Sequence, residues 1–258
     1  MLAQERQNEI LSLLVQRGSV VKMTELAQKF GASNETIRRD LAYMQQQQLI
    51  RRVYGGAVLA EQQSNNSARA IFSATRVKGQ REREAIGRLA ARQVCENETL
   101  LLGTGTTVLE VAKALKHLRH LTILTNSLLV AQELSDTSFD VYLLGGKLDC
   151  NEMFTCGEMG MSCLRGFFVD KTFIGAAGIT FEYGISHFTN EDYTLRDEML
   201  KRSNQVIVVA ASEKFGHNGL CTRNTLDFVD MIVTDEQLDQ TYLDGLKERE
   251  IKVLLAPL

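Results

Sequence analysis

The 258-residue chain has no run of about 18 consecutive apolar residues, the length a helix needs to cross a bilayer. Its first residues form no apolar stretch of the kind that directs secretion. A cytoplasmic protein with no membrane partner is therefore expected. Cysteine is also scarce. Cys95, Cys150, Cys156, Cys163 and Cys221 are odd in number, and no two stand in the C-x-x-C spacing that holds zinc. No histidine joins the group at 150–163, so free, buried thiols are expected, with no metal and no other cofactor. The four histidines, His117, His120, His187 and His217, are scattered and read as packing or surface residues. His117 and His120 would close a helix, where a partial positive charge is favoured.

What the chain does have begins at Ser33-Asn34-Glu35-Thr36-Ile37-Arg38-Arg39-Asp40-Leu41. Ile37, Leu41 and Met44 recur at spacings of four and three, giving a helix one apolar stripe and leaving Asn34, Thr36, Arg38 and Arg39 on its other faces. Upstream, Ile10, Leu11, Leu14 and Val15 mark one amphipathic helix and Met23, Leu26, Ala27 and Phe30 a second. Gly31-Ala32-Ser33 then makes a short turn, with Ser33 placed to cap the third helix. Downstream, 49–59 sets two β-rich runs around Gly55-Gly56, the pattern of a hairpin. Three helices and a hairpin make a winged helix-turn-helix, whose third helix enters a DNA major groove by its polar, cationic N-terminal end. An isolated Arg-Arg pair would read as a solvated helix face. Here the turn, the cap and the hairpin stand beside it.

Charge follows the same division. Residues 1–60 hold eight basic against five acidic side chains, a net of +3, while the remainder carries −6. The basic end is the nucleic-acid end. A net of +3 is modest, so binding is expected to require at least two copies acting on repeated half-sites, as a homodimer or homotetramer.

The chain is long enough for a small domain and one larger core, with 1–60 as the DNA-binding domain, 61–83 as linker and 84–258 as the larger domain. Glu61-Gln62-Gln63-Ser64-Asn65-Asn66-Ser67 is a polar run with nothing to bury. Arg69, Arg76, Lys78, Arg81 and Arg83 read as the exposed side of a connecting stretch. From 84 onward helices at 85–94, 108–118 and 128–134 alternate with strands at 99–102, 121–124 and 141–144. Further strands are expected at 172–174, 206–210, 231–233 and 253–255. That rhythm predicts an α/β domain with a mostly parallel sheet, whose ligands bind beyond the carboxyl ends of the strands. The loops there are rich in glycine and hydroxyls: Gly103-Thr104-Gly105-Thr106-Thr107, Thr125-Asn126-Ser127, Gly145-Gly146-Lys147, Gly175-Ala176-Ala177-Gly178 and Ser212-Glu213-Lys214-Phe215-Gly216. Backbone N–H groups at a helix N-terminus, joined by threonine hydroxyls, suit a phosphate.

Through Thr36-Ile37-Arg38-Arg39-Asp40-Leu41 followed by Arg52, Tyr54, Gly55 and Gly56, the chain resembles the DeoR family of bacterial transcriptional regulators. The likeness implies that Thr36, Arg38 and Arg39 face operator DNA with Ser33 and Asn34 beside them, and that Asp40 braces the arginines or the helix end. It also implies that the wing, with Arg52 and Tyr54, lies along the backbone. Lys22 departs from the pattern, standing where the family has a small capping hydroxyl, and joins the DNA-facing cations. The larger domain of that family is similar to the sugar-phosphate isomerase and CoA-transferase fold and senses phosphorylated sugars or related intermediates. By that likeness Thr104, Gly105, Thr106 and Thr107 hold phosphate, Asn126 and Ser127 line the pocket with Gly146, Lys147 and Gly175, Lys214 supplies a cation, and Glu191 binds hydroxyls.

Three further positions depart from the family. Gly103, Ala177 and Ala211 stand where many relatives carry an acid. Losing carboxylates removes hydroxyl acceptors and possible general bases, so a less hydroxylated ligand is expected. The expected function is a transcriptional repressor of a carbohydrate-utilisation operon, controlled by a phosphorylated sugar, sugar acid or polyol. Two alternatives stay open on the sequence: an isomerase, for which Glu191 and Lys214 would have to serve as base and electrophile, and a DNA-binding oligomer with no effector.

Overall fold

The computed structural model describes residues 6–7, 9–10, 13–14, 20–46, 50–53, 55–59, 79–150, 152–187, 193–219 and 221–258, which divide between two units, Met1–Lys78 and Gly79–Leu258. In the first unit, helices α1 (Met23–Lys29) and α2 (Asn34–Gln46) are joined by a turn in which Gly31 takes a left-handed φ of 56°. Ser33 starts α2: its Oγ accepts the Thr36 N–H at 3.1 Å. The buried stripe Ile37, Leu41 and Met44 packs on Ile10, Leu14, Leu26, Ile50 and Ala57, so Ile10 and Leu14, both helices and the sheet share one core.

That sheet has the order β1-β3-β2, from β1 (Val21–Lys22), β2 (Ile50–Val53) and β3 (Gly56–Leu59), all antiparallel. Val53 pairs with Gly56, which closes the hairpin. The two glycines have separate causes. Gly55 has φ of 79°, and a side chain on Gly56 would strike the Val21 carbonyl on the adjoining strand.

The second unit is a seven-stranded parallel sheet. It comprises β4 (Thr99–Leu102), β5 (Thr122–Thr125), β6 (Asp140–Leu143), β9 (Val169–Ile174), β12 (Ser203–Val209), β14 (Met231–Asp235) and β15 (Lys252–Ala256), in the order β15-β14-β12-β9-β4-β5-β6. Alternate residues serve two cores. Leu100, Leu102, Ile123, Phe173, Ile207, Val209, Met231 and Val233 pack with α3 (Gln80–Ala91), α4 (Thr106–Leu115) and α5 (Leu128–Leu134). Leu101, Leu124, Ile174, Val206, Val208 and Ile232 face the opposite side, with α6 (Glu158–Leu164), α7 (Tyr193–Lys201) and α8 (Gln240–Glu248). Burial of both faces is why the inner strands read as continuous apolar runs, while the edge strands β6 and β15 are partly exposed.

Two small antiparallel sheets have no counterpart in the sequence reading: the hairpin β7 (Lys147–Asp149) with β8 (Phe154–Cys156), and β10 (Gly178–Thr180), β11 (Gly184–His187) and β13 (Cys221–Asn224). Strands of three or four residues are too short to show a period of two.

Helix α3 starts at Gln80, inside the expected linker, following Gly79 at φ of 71°. Arg83 is 4% exposed, correcting its reading as part of a solvated stretch. It lies three and seven positions before Ile86 and Ala90 on the buried face of α3. The cysteines also depart from expectation. Of the five, only Cys156 is buried, while Cys95 and Cys150 lie exposed outside the helices and strands and Cys163 is exposed on α6. No helix among the described residues is long and apolar enough to cross a membrane.

The strand order sets the place of a ligand. From β4 the chain moves outward through β5 to β6, then returns to the other side of β4 as β9 and proceeds the opposite way through β12, β14 and β15. The order reverses between β4 and β9, and in open sheets of this class the loops leaving the strands at such a reversal are where a ligand binds.

Candidate functional site

In the first unit the cations of α2 stay in water. The side chains of Arg38 and Arg39 are 63% and 81% exposed, each within 4 Å of Glu35 at 3.8 and 3.7 Å. Such exposed pairs contribute about 0–1 kcal/mol, so a phosphate can take the carboxylate's place at little cost. Ser33, Asn34, Lys22 and Arg52 are exposed and Thr36 is half-buried, its hydroxyl 2.8 Å from Ser33 Oγ. Tyr54 lies outside the described residues. Lys22 occupies the N-cap of α1 and makes no side-chain capping bond there, as expected of a lysine where a hydroxyl would cap.

Asp40 does not brace the arginines of α2. It is buried and accepts hydrogen bonds from Arg6 Nε at 2.6 Å and Gln7 Nε2 at 2.9 Å. Position 40 falls on the Ile37 and Leu41 face of the helix, so its carboxylate turns inward and ties α2 to the chain's first helical residues.

In the second unit, Thr104 and Gly105 leave β4 and Gly175 leaves β9. Gly105, with φ of 113°, is the N-cap of α4 and has no side chain to cap it. The N–H groups of the first turn of α4 are thus available to an outside acceptor, with Thr106 and Thr107 half-buried beside them.

Between these loops lies a residue the sequence reading missed. Arg196, from α7, is 4% exposed. Its Nη2 donates to Thr104 Oγ1 at 3.2 Å, and its Nη1 to the Gly175 carbonyl at 3.4 Å. The same Nη1 meets both ring nitrogens of His187, with Nε2 at 2.8 Å. Burial first, and the adjoining guanidinium second, push His187 down from the usual 6.5 to about 2. It is therefore a neutral imidazole at physiological pH, able to accept from Arg196. The sequence held one signal of this. Arg196, Met199 and Leu200 stand at i, i+3 and i+4, an inward-facing set in which the arginine occupies an apolar position.

Asn126 and Ser127, expected to line the pocket, are buried and engaged locally. Ser127 Oγ caps α5 by accepting the Val130 N–H at 3.3 Å, and Asn126 Nδ2 donates to the Thr155 carbonyl at 3.0 Å. Gly146 has φ of 140° and lies so close to the Cys156 carbonyl that a side chain would strike it. Lys147 is exposed at the start of β7, which follows β6 in the chain. Lys214 lies in a short 3-10 turn after β12 and pairs with Glu213 at 3.2 Å. Glu191 lies outside the described residues.

A side chain at Gly103 would approach the Phe173 carbonyl to 3.3 Å, Ala211 is buried against the core, and Ala177 donates its N–H to Ser186 O at 2.9 Å. Asp235, fully buried at the end of β14, accepts the backbone N–H groups of Ser212 at 2.7 Å and Gln237 at 3.1 Å and so serves the loop itself.

Two domain models match this chain, one in each unit. Residues 6–63 match the model of the DeoR-like helix-turn-helix domain and residues 78–236 that of the DeoR C terminal sensor domain. The uncharacterized HTH-type transcriptional regulator YulB of Bacillus subtilis is 31% identical over 259 residues, covering 100% of this chain and 98% of its own. The glycerol-3-phosphate regulon repressor of Escherichia coli is 30% identical, covering 97% and 98%. Among solved structures, ribose 5-phosphate isomerase A from Methanocaldococcus jannaschii is 14% identical with a TM-score of 0.41, covering 54% of this chain and 55% of that one. With both domain models matched in order and relatives aligned end to end, the chain belongs to the DeoR family of DNA-binding transcriptional regulators.

Proposed function

We propose that this regulator represses a carbohydrate-utilisation operon and that a phosphorylated sugar, sugar acid or polyol, bound in the crevice between the β4 and β9 loops, changes its hold on operator DNA. The observation that carries the reading is the uncapped N-terminus of α4, which offers backbone N–H groups beside Thr104, Thr106 and Thr107 at the reversal of strand order. A relative named for a glycerol-3-phosphate regulon supports the ligand class. Gly103, Ala177 and Ala211 leave few hydroxyl acceptors at this edge, which favours a ligand recognised through its anionic group more than through many hydroxyls.

On the DNA side, Ser33, Asn34, Thr36, Arg38 and Arg39 enter the major groove, while Lys22, Arg52 and Tyr54 contact the backbone. The modest charge of one such domain calls for a homodimer or homotetramer on repeated half-sites. An effector that changes operator affinity ten- to a hundredfold couples the two sites by about 1.4–2.8 kcal/mol. Titrating the full chain onto a duplex selected from a random pool, with and without a panel of phosphorylated sugars, sugar acids and polyols, tests the reading. At least one ligand is expected to shift the midpoint tenfold or more. An unchanged midpoint across the panel rejects the sensing role.

A further inference from the structure

We propose that Arg196 is the charged anchor of this crevice: its guanidinium receives the anionic group of the effector together with Thr104, and His187 holds it in place. The inference rests on the ligand class and crevice proposed above and names the side chain that selects that class.

Position comes first. Arg196 hydrogen-bonds to Thr104, which follows β4, and to Gly175, which follows β9, so its guanidinium bridges the two loops that flank the reversal of strand order. α7 carries it there because Leu195 and Met199 form one buried row and Arg196 and Leu200 the next, anchoring the helix with the arginine facing inward.

Burial comes second. An arginine 4% exposed has given up most of its hydration, and a buried ionic group is no better for stability than a well-packed apolar one. A charge kept at such a place suits recognition of an anion, which interacts far more strongly with a desolvated cation than with one in water.

Geometry comes third. The His187 ring, the Thr104 hydroxyl and the Gly175 carbonyl fix the plane of the guanidinium, and a fixed fork matches two oxygens of a phosphate or carboxylate. The uncapped first turn of α4 supplies backbone donors from the adjoining loop, and a Cβ built on Gly105 meets nothing within 4 Å, so the loop leaves room there. The neighbouring helix α5 offers no such end, because Ser127 already caps it. Arg196 thus supplies charge, α4 directional donors and Thr104 a hydroxyl, the combination that separates a phosphate ester from the neutral sugar or polyol.

The test uses the full chain, calorimetry and thermal shift, with glycerol 3-phosphate, glucose 6-phosphate, 6-phosphogluconate, inorganic phosphate, glycerol and glucose as probes. Wild type is expected to bind one or more of the phosphorylated probes and to discriminate against glycerol and glucose. Arg196→Gln should lower affinity for the bound probe at least tenfold and reduce that discrimination, and Arg196→Lys about threefold or more, since a point charge replaces a fork. Arg202→Gln, which removes a part-exposed cation just past α7 that is paired with Glu198, should leave affinity unchanged. Wild-type affinity in Arg196→Gln, or a fall in melting temperature with discrimination intact, overturns the role of Arg196 while the sensor reading stands. Binding of none of the probes by wild type removes the sensor reading and the role of Arg196 with it. If the glutamine variant does not fold, Arg196→Lys and Thr104→Val decide. Weaker phosphate binding in both supports the anchor, and unchanged binding in both overturns it.

Discussion

The two units place their arginines in opposite surroundings. In the first, Arg38 and Arg39 stand in water beside one exposed acid; in the second Arg196 is buried, with an imidazole, a hydroxyl and a carbonyl among its partners. Exposure suits a partner that is itself a long polyanion, since many screened contacts add and each releases counterions. Enclosure suits one small anion, which must be recognised by few groups at short range. The lesson is that the same side chain serves nucleic acid when the fold leaves it alone and suits a small anion when the fold desolvates and orients it. Exposed cations should therefore affect DNA binding with little effect on stability, whereas replacing enclosed polar groups should change stability as well.

Asp40→Ala gives the largest departure from neutrality expected in the first unit. It strips Arg6 of its buried carboxylate, and leaving a buried charge uncompensated should cost about 3 kcal/mol, read as a shift of that unit's urea transition. A shift under about 1 kcal/mol would mean that Asp40 does not hold α2 to the first helical residues.

His187 supplies the next effect. Its folded pKa of about 2 lies below the ordinary 6.5, so between those values the unfolded chain binds the additional proton. Stability from this residue is complete above about pH 6.5 and declines as pH falls, by up to about 1.4 kcal/mol per pH unit. The melting temperature of the second unit should drop between pH 7 and pH 5, and more gently in His187→Asn. Parallel profiles for the two proteins would contradict the enclosed, neutral imidazole.

Ser33→Ala removes the cap of α2 and should cost about 1 kcal/mol, measured by thermal unfolding, because the Thr36 N–H loses its acceptor. Lys22→Ser is the smallest change and the sharpest contrast. It gives α1 the capping hydroxyl it lacks, with a gain of up to about 1 kcal/mol, while DNA binding weakens by loss of an exposed cation. Weaker folding together with unchanged DNA affinity would reverse the distinction drawn between the two kinds of site.

Much of this was legible in the residues. The stripe of Ile37, Leu41 and Met44, the cap at Ser33 and the hairpin at Gly55-Gly56 follow from local periodicity and turn chemistry, and the apolar runs of the central sheet from burial on both faces. The site was legible only in outline. Thr104, Gly105 and Gly175 come together because strand order brings β4 beside β9, which no local pattern reveals. Asn126, Ser127 and Gly146, read from the sequence as ligand groups, also have local structural tasks as a backbone brace, a helix cap and a close approach. Arg83 and Arg196 were hidden by the opposite bias: charged helical residues read as solvated unless their place on the apolar face is weighed above their charge.

The most direct test compares the full chain with the double variant Arg38→Ala, Arg39→Ala on a selected duplex across a range of salt concentrations. Each exposed arginine should contribute about 1–3 kcal/mol, so the double variant should bind at least tenfold more weakly while melting at the wild-type temperature. Any arginine that contacts a phosphate should also lower the salt slope, by about one unit. Equal affinity and equal salt slope for the two proteins would contradict the placement of α2 in the DNA groove.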